Sequence, residues 1–519
     1  MAAFDPFFFQ NTGSACIFET YMPNKGHMNI LLVTPRYPDT YWGFKNALKF
    51  ISKKAAHIPL GLITVAAMLP AEWKKKLTDL NISRLDDNDI RWADFVFISA
   101  MAVQSVSVDK IIQRCKELNT AIVAGGPLFT EEYEHFSQID HLVLNEAEIT
   151  LPLFLEDLKS GHTKKVYSSA EYADVTSTPV PDYSLLNLHH YSCASIQYSR
   201  GCPYNCEFCD ITALYGRKIR TKTPVQVIGE LQALLKAGWR GPVFIADDNF
   251  IGHRKRLKTA LLPSLIQWME ANKYPFVYTT EASIDLADDP VLMQMMVKAG
   301  FARVFVGIET PEENSLVACN KLQNNHRNLI ECVQTIQKSG MEVAAGFIVG
   351  FDNDPVNIFQ RQIDFIQQSG IITAMVGLLN APRLSALYKR LQMEGRIVHK
   401  FTGDNTDFSM NFVPVMDKTL LMAGYRKIIH DIYSCKAYYK RVLSFLKNYD
   451  PPIVTKGRIT FSKIMAFLRS IIYLGIIKKH RIYFWNLILW SLFKKPQAFS
   501  MAVTYSIYGY HFRKVFRLD

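Results

Sequence analysis

SRGCPYNCEFCD, residues 199–210, places Cys202, Cys206 and Cys209 in a C-x3-C-x2-C array. An apolar run, ASIQYS (194–199), leads into the array. Runs of the same kind follow: GPVFIADD (241–248), FVYTTEAS (276–283), ARVFVGIET (302–310), EVAAGFIVGF (342–351) and TAMVGLLNAP (373–382). Helix-patterned stretches separate them, among them VQVIGELQALLKAG (225–238) and DPVLMQMMVKAG (289–300). Short apolar runs bounded by turn residues read as buried strands, and their alternation with helices reads as βα units. Six such units predict a partial or full α/β barrel, with its chemistry at the carboxyl ends of the strands. Polar residues fall at those ends: Asp247, Asp248, Glu281 and Glu309.

Thiolates are the soft ligands that iron–sulfur clusters take. Three cysteines can hold three irons of a cubane and leave the fourth open to a small chelating molecule. Gly201 and Pro203 supply the tight backbone of such a loop. A zinc site is the competing reading. It wants four protein ligands, commonly in paired C-x2-C spacing. No second pair occurs, and the nearest histidines, His189 and His190, lie upstream in a polar segment. The other six of the nine cysteines are scattered and read as small buried hydrophobes.

Ahead of the barrel runs a second alternating pattern. NILLVTP (29–35), DFVFISA (94–100), TAIVAGG (120–126) and DHLVLNEAE (140–148) read as strands, with LGLITVAAML (60–69) and VDKIIQRCKEL (108–118) as helices. This predicts a parallel sheet with helices on both faces, binding ligands beyond its carboxyl edge. The turns there are Ser99–Met101 and Gly125–Pro127, which serve equally as plain turns. Residues 159–190, including TSTPVPDYS, read as a linker.

The chain has 519 residues and a formal charge of +12, unevenly placed. Twelve Lys or Arg and one acid fall between Lys456 and Asp519. Such a tail suits an anionic partner, lipid headgroups or nucleic acid, or is a solvated helical face. FSKIMAFLRSII (461–472) sets Phe461, Ile464, Met465, Leu468, Ile471 and Ile472 on one helical face. IYFWNLILWSLF (482–493) is uncharged between basic flanks, too short to span a bilayer and suited to a core or an interface. No transmembrane helix and no secretory signal are expected. The start, MAAFDPFFFQ, lacks a basic n-region. The compartment is read as cytoplasm, with peripheral contact at the inner membrane face an option.

The C-x3-C-x2-C loop after a first barrel strand resembles the signature of radical S-adenosylmethionine (SAM) enzymes. FISAM, VAGGP, SRGCPYNCEFCDI, DDNFIG, VGIETP and GFIVGFD resemble the class of these enzymes that carries an N-terminal cobalamin domain. The texture of SRGCPYNCEFCDI, DDNFI and YKRLQMEGR is most similar to the group typified by hopanoid C-2 methylases. The resemblance covers roughly residues 28–400 and implies a Rossmann-like cobalamin-binding domain (28–158) and a radical SAM partial (β/α)6 barrel (191–400); composition and pattern mark a leader (1–27), the linker (159–190) and a helical, basic C-terminal domain (401–519).

It further implies three cofactors: a [4Fe–4S] cluster on Cys202, Cys206 and Cys209, S-adenosyl-L-methionine, and cobalamin. Tyr204 matches an aromatic near the adenine. Asp247, Asp248 and Asn249 match the segment that binds the methionine amino group. Glu309 matches a ribose contact, and Glu281 and Ser283 are pocket residues. Gly346–Gly350 matches the strand backing the adenine. Ser99, Gly125 and Gly126 match turns around the cobalamin tail, Pro59 and Gly61 a segment against the corrin, and Asn145 and Glu146 a similar edge. One departure stands out. Pro35-Arg36-Tyr37-Pro38 follows the first strand where many cobalamin domains carry a histidine for cobalt.

The implied reaction is radical methylation of an unactivated carbon, fed by an electron donor such as flavodoxin or ferredoxin. The basic, aromatic tail suggests a lipid or isoprenoid small-molecule substrate. Two other readings stay open: a radical cyclase or rearrangement enzyme without methyl transfer, and a non-enzymatic cobalamin-sensing or zinc-structured adaptor at a membrane. A methylthiotransferase needs three further cluster cysteines, and Cys16, Cys115 and Cys193 have unsuitable spacing. No nucleic-acid partner is expected, for lack of a recognisable motif.

Overall fold

The computed structural model describes residues 27–452 and 461–518. The leader expected at 1–27 lies outside these except for His27, as do Cys16, Lys456 and Arg458.

Two parallel sheets organise the chain. The first has six strands: β1 (Asn29–Thr34), β3 (Lys74–Asp79), β4 (Phe95–Ser99), β5 (Ala121–Gly125), β6 (His141–Val143) and β7 (Val166–Tyr167), in the order β3-β1-β4-β5-β6-β7. Its central strands are continuous apolar runs because helices cover both faces; Ile30, Leu31, Leu32 and Val33 are all fully buried. β3, at one edge, begins with three lysines, which discourages pairing with another chain. β7 falls inside the stretch expected as linker, so the sheet continues one strand into it.

The second sheet has seven strands and curls into a half-barrel. Its members are β2 (Ala55–His57), β8 (Tyr191–Ile196), β11 (Gly241–Ile245), β12 (Phe276–Glu281), β13 (Phe301–Glu309), β14 (Glu342–Val349) and β15 (Ala374–Leu378), in the order β15-β14-β13-β12-β11-β8-β2. Six strands match the six runs read from sequence. The seventh, β2, comes from the N-terminal region and pairs in parallel with β8. Three residues with one lysine-rich flank carry no periodicity to announce a strand. The segment around it is pinned on the far side by the C-terminal helices. Tyr41 stacks on Phe512 at 4.4 Å, and its hydroxyl lies 2.7 Å from that of Tyr433. A short antiparallel pair, β9 (Ser199–Arg200) with β10 (Arg220–Thr221), forms the base of the cysteine loop.

Beyond β15 the regular elements among the described residues are mainly helices, at Ala386–Met393, Lys418–Tyr433, Cys435–Asn448, Phe461–Ser470, Arg481–Lys494 and Phe499–Val515. The face predicted on residues 461–472 is only partly covered: Phe461 is 78% exposed, Ile464 47%, Leu468 46% and Ile472 50%. No helix among the described residues is long and apolar enough to cross a membrane.

Candidate active site

The loop between β9 and Ile211 carries the three thiols, and its backbone is dictated by Gly201. That residue has φ +96°, and a Cβ there would lie 2.9 Å from the carbonyl oxygens of both Gly216 and Lys218. No L side chain fits without moving rigid backbone. Gly201→Ala is expected to cost about 2–4 kcal/mol from strain and clash together. A lower thermal midpoint and a reduced iron content in the purified protein are the readouts.

Carboxylates hold the loop from two sides. Asp247 accepts from the Tyr198 and Ser199 backbone N–H groups at 2.8 and 2.9 Å and from the Ser199 hydroxyl at 2.6 Å. Asp248 accepts from the Gly201 N–H at 2.9 Å. Burial raises Asp247 to about 7 and Asp248 to about 6, against the pull of these donors. Asp247 therefore orders the loop, and its acceptor sites face the loop backbone rather than open space. Asn249 and Ser283 bond one another at 3.2 and 3.3 Å, tying the ends of β11 and β12. The Tyr204 hydroxyl donates to Asp285 at 2.8 Å, and Asp285 is ion-paired with Arg254.

The thiols of Cys202, Cys206 and Cys209 are half-buried, and burial pushes Cys202 and Cys209 up from the ordinary thiol value. Lys321 lies within electrostatic reach of Cys206 and Cys209. Its ammonium donates to Glu309 at 2.8 Å, and the Gln323 amide reaches the Cys206 sulfur at 3.7 Å. Among the described residues no three His, Cys, Asp or Glu side chains converge as ligands of a single ion. A cubane, with its irons at separate corners, takes thiolates that stand apart. Three soft donors on one loop, a buried cation beside them and an N–H aimed at one sulfur fit such a cluster; Cys202, Cys206 and Cys209 would hold it.

Glu309 sits in the left-handed region at φ +63°, just past a bulge in β13 where the register shifts between Gly307 and Glu309. Asn324 secures the bulge through the carbonyls of Gly307 and Ile308 at 2.9 and 3.0 Å. Strained backbone of this kind persists where the surroundings over-determine it. Glu281, at the end of β12, is raised to about 8, first by burial and then by Asp248. Gly350 has φ +104° and donates to Asp354 at 2.9 Å. A Cβ on Gly346 would meet the Phe305 ring at 3.0 Å, so that ring covers the strand expected to back the adenine.

The carboxyl edge of the first sheet faces this loop. Glu146, expected at a cofactor edge, is 4% exposed and ion-paired to Arg200 and Arg220, both at 2.8 Å. Arg200 also holds Glu148 through both terminal nitrogens at 2.7 and 2.9 Å. Glu131 bonds Asp210, the residue after Cys209, and burial followed by that neighbour raises it to about 8. Asn145 has φ +61° and accepts from the Ser169 N–H at 3.2 Å. A Cβ on Gly125 would strike the Val143 carbonyl at 2.5 Å, and one on Gly126, at φ +93°, the Ser99 hydroxyl at 2.8 Å. A Cβ on Gly61, next to Pro59, would meet nothing. Gly125 and Gly126 are thus required by the packing of the turns themselves, while Gly61 leaves open space at the edge where cobalamin would sit. After β1 stands Tyr37, whose hydroxyl donates to the Met101 sulfur at 3.7 Å, so no imidazole is presented there. Sequence reasoning missed Glu148, Arg220 and Lys321, whose roles come from long-range pairing. Arg200 lay inside the quoted motif but carried no local signal.

The profile of the Radical SAM superfamily matches residues 196–366, and a domain of unknown function, DUF4070, matches 385–518. The chain is 39% identical over 490 residues, 93% of its length and 91% of the relative's, to uncharacterized methyltransferase sll1242 of Synechocystis. It is 34% identical over 479 residues, 90% of its length and 89% of the relative's, to the hopanoid C-2 methylase of Rhodopseudomonas palustris. Its fold is similar to that of the cobalamin-dependent SAM radical enzyme OxsB with aqua-cobalamin bound (TM-score 0.62, 15% identity, 95% of this chain and 81% of that one). It is also similar to the radical SAM methyltransferase TsrM of Kitasatospora setae with cobalamin and a [4Fe–4S] cluster bound (TM-score 0.57, 14% identity, 73% and 80%). The chain belongs to the hopanoid C-2 methylase-like group of methyltransferases and carries a Radical SAM superfamily domain over residues 196–366.

Proposed function

We propose that this enzyme methylates an unactivated carbon of a polycyclic or isoprenoid lipid while seated on the inner face of a membrane. The observation that carries the substrate class is the surface of residues 461–495. Phe461, Ile476, Ile477, Ile482 and Phe493 are each 59–78% exposed there. Lys478, Lys479, Arg481, Lys494 and Lys495 flank them. Exposed apolar side chains ringed by cations suit a helix lying among anionic headgroups. The name of one relative, a hopanoid C-2 methylase, points to the same substrate class.

In this reading residues 28–158 hold cobalamin and residues 191–400 hold the cluster and S-adenosylmethionine; 159–190 link the two and 401–519 meet the membrane. Bound together, the cofactors supply the radical and the methyl group. The chain's own groups do the rest. Cys202, Cys206 and Cys209 ligate the cluster. Asp247 and Asp248 fix the loop, and Asp248, Glu281 and Glu309 present carboxyls where the cosubstrate would lie. Tyr204, held by Asp285, would pack on its adenine, and Asn249 and Ser283 brace the floor. Ser99, Pro59, Gly61, Gly125, Gly126 and Asn145 shape the cobalamin edge. A small electron carrier, flavodoxin or ferredoxin, reduces the cluster.

Two measurements test the reading. Holoenzyme incubated with methyl-labelled S-adenosylmethionine and membrane lipid is expected to yield labelled lipid; label confined to water-soluble products would refute the substrate class. Replacing Lys478, Lys479, Arg481, Lys494 and Lys495 with serine should weaken co-sedimentation with phosphatidylglycerol vesicles by about 100- to 1000-fold, at about 1 kcal/mol per charge at most.

A further inference from the structure

We infer that the lipid enters from the amino-terminal end of the half-barrel, opposite the cofactors, and threads up the lumen to Glu281. This rests on the lipid-substrate reading above and adds the route. A cavity of about 3380 Å³ runs from the strand starts to Glu281 at the end of β12. That is several times the roughly 300–1,000 Å³ of ordinary small-molecule pockets. Its upper wall is the inward face of the sheet: Phe244, Val277, Phe305, Ala344 and Met375, ending at Glu281. Alternate residues of β12 line it, as a strand with one face inward requires. The six residues of β12 span about 20 Å, room for one elongated molecule.

The lower end opens between the strand starts and the C-terminal helices. Phe461, Ile464 and Phe499 line it there, and Phe461 and Ile464 also belong to the exposed apolar face. The membrane-facing surface and the lumen wall are therefore continuous. Lys53, Arg240, Lys273 and Lys463 also line the cavity around this end. Among the described residues its acidic lining residues are Glu281 and Glu342. Glu342 is paired with Arg303 at 2.7 Å just inside the opening. A ring of cations around an apolar opening complements anionic headgroups and admits an uncharged chain.

Farther in, Trp42 meets Phe305 edge-on at 5.4 Å and narrows the path. His57, beside Phe244, is driven down to about 4 by burial, and Glu281 is driven up to about 8. Both shifts favour the uncharged form of the group.

The test is photocrosslinking of the holoenzyme on phosphatidylglycerol vesicles carrying a diazirine-bearing C20 isoprenoid alcohol. The expected adducts map to peptides containing Val277, Phe305, Ala344 and Met375. Ala344→Phe and, independently, Met375→Trp should each lower those adducts at least tenfold while adducts on residues 461–493 persist. Adducts on 461–493 without any in the lumen would overturn the route and leave the lipid reading standing, as would lumen adducts undiminished in both variants. No adduct anywhere, together with no vesicle binding, would overturn both.

Discussion

Each of Cys202→Ala, Cys206→Ala and Cys209→Ala is expected to abolish release of 5′-deoxyadenosine. Bound iron and sulfide should fall from about four of each per chain to less than about one. The cause is local. The three thiols are the soft donors of a single loop, and no other described cysteine is placed to replace one. Cys115 is buried in the first domain's core, and Cys193 lines the barrel lumen. Cys319, near Cys206, is 2% exposed and points its sulfur at the Leu316 carbonyl at 3.5 Å. Iron and sulfide analysis, an optical spectrum and a cleavage assay on anaerobically reconstituted protein check the result. A variant that keeps both a full cluster and cleavage would remove that cysteine from the ligand set. The expected loss is total because a radical step has no slower parallel route through the remaining protein groups.

The second large effect is on stability. Arg200→Ala should destabilise the fold by about 3–5 kcal/mol, because it strands Glu146 and Glu148 as buried, under-compensated charges. The Glu148 side chain is 5% exposed. Burial alone would raise its pKa, but the Arg200 guanidinium overrides burial and holds it at about 2, below its ordinary 4.5. A depressed carboxyl stabilises the fold fully above its unfolded value and loses that contribution as pH falls from 4.5 toward 2. The 2.5-unit depression corresponds to about 3 kcal/mol at pH 7. About 1 kcal/mol of this should be gone at pH 4. Urea titrations of wild-type and Arg200→Ala chains, both cluster-free so that acid lability of the cluster does not intervene, should therefore differ less at pH 4 than at pH 7. A difference independent of pH would assign the Arg200 effect to packing instead. Arg200 precedes the cysteine loop directly, so the same variant should also lower cluster occupancy.

Legibility followed the range of the interactions. The six barrel runs were readable because a buried parallel strand is apolar on both faces and its neighbours in space are its neighbours in sequence order. The cysteine loop was readable because its three donors lie within eight residues. Strand β2 was not: three residues hold it in the barrel through pairing with β8, more than a hundred positions away. The resemblance puts Glu146 at a cofactor edge, and two arginines from the barrel occupy its acceptors. Asn249, matched by resemblance to the segment that binds the methionine amino group, and Ser283, matched to the pocket, bond one another. The apolar face of 461–472 was visible as a period, but whether it was core or surface depended on what packed against it.

The sequence alone settled that two α/β units stand in tandem, that soft thiolates gather on one tight turn, and that positive charge collects at the tail. Period, spacing and composition are local properties and survive in a string of letters. The tertiary structure decided which carboxylates are tied up in the scaffold, that a strand from the N-terminal region completes the barrel, and that a cavity runs from the basic apolar surface to Glu281. Those depend on groups far apart in the chain meeting at ångström distances, and burial, which sets their charge, exists only once they meet.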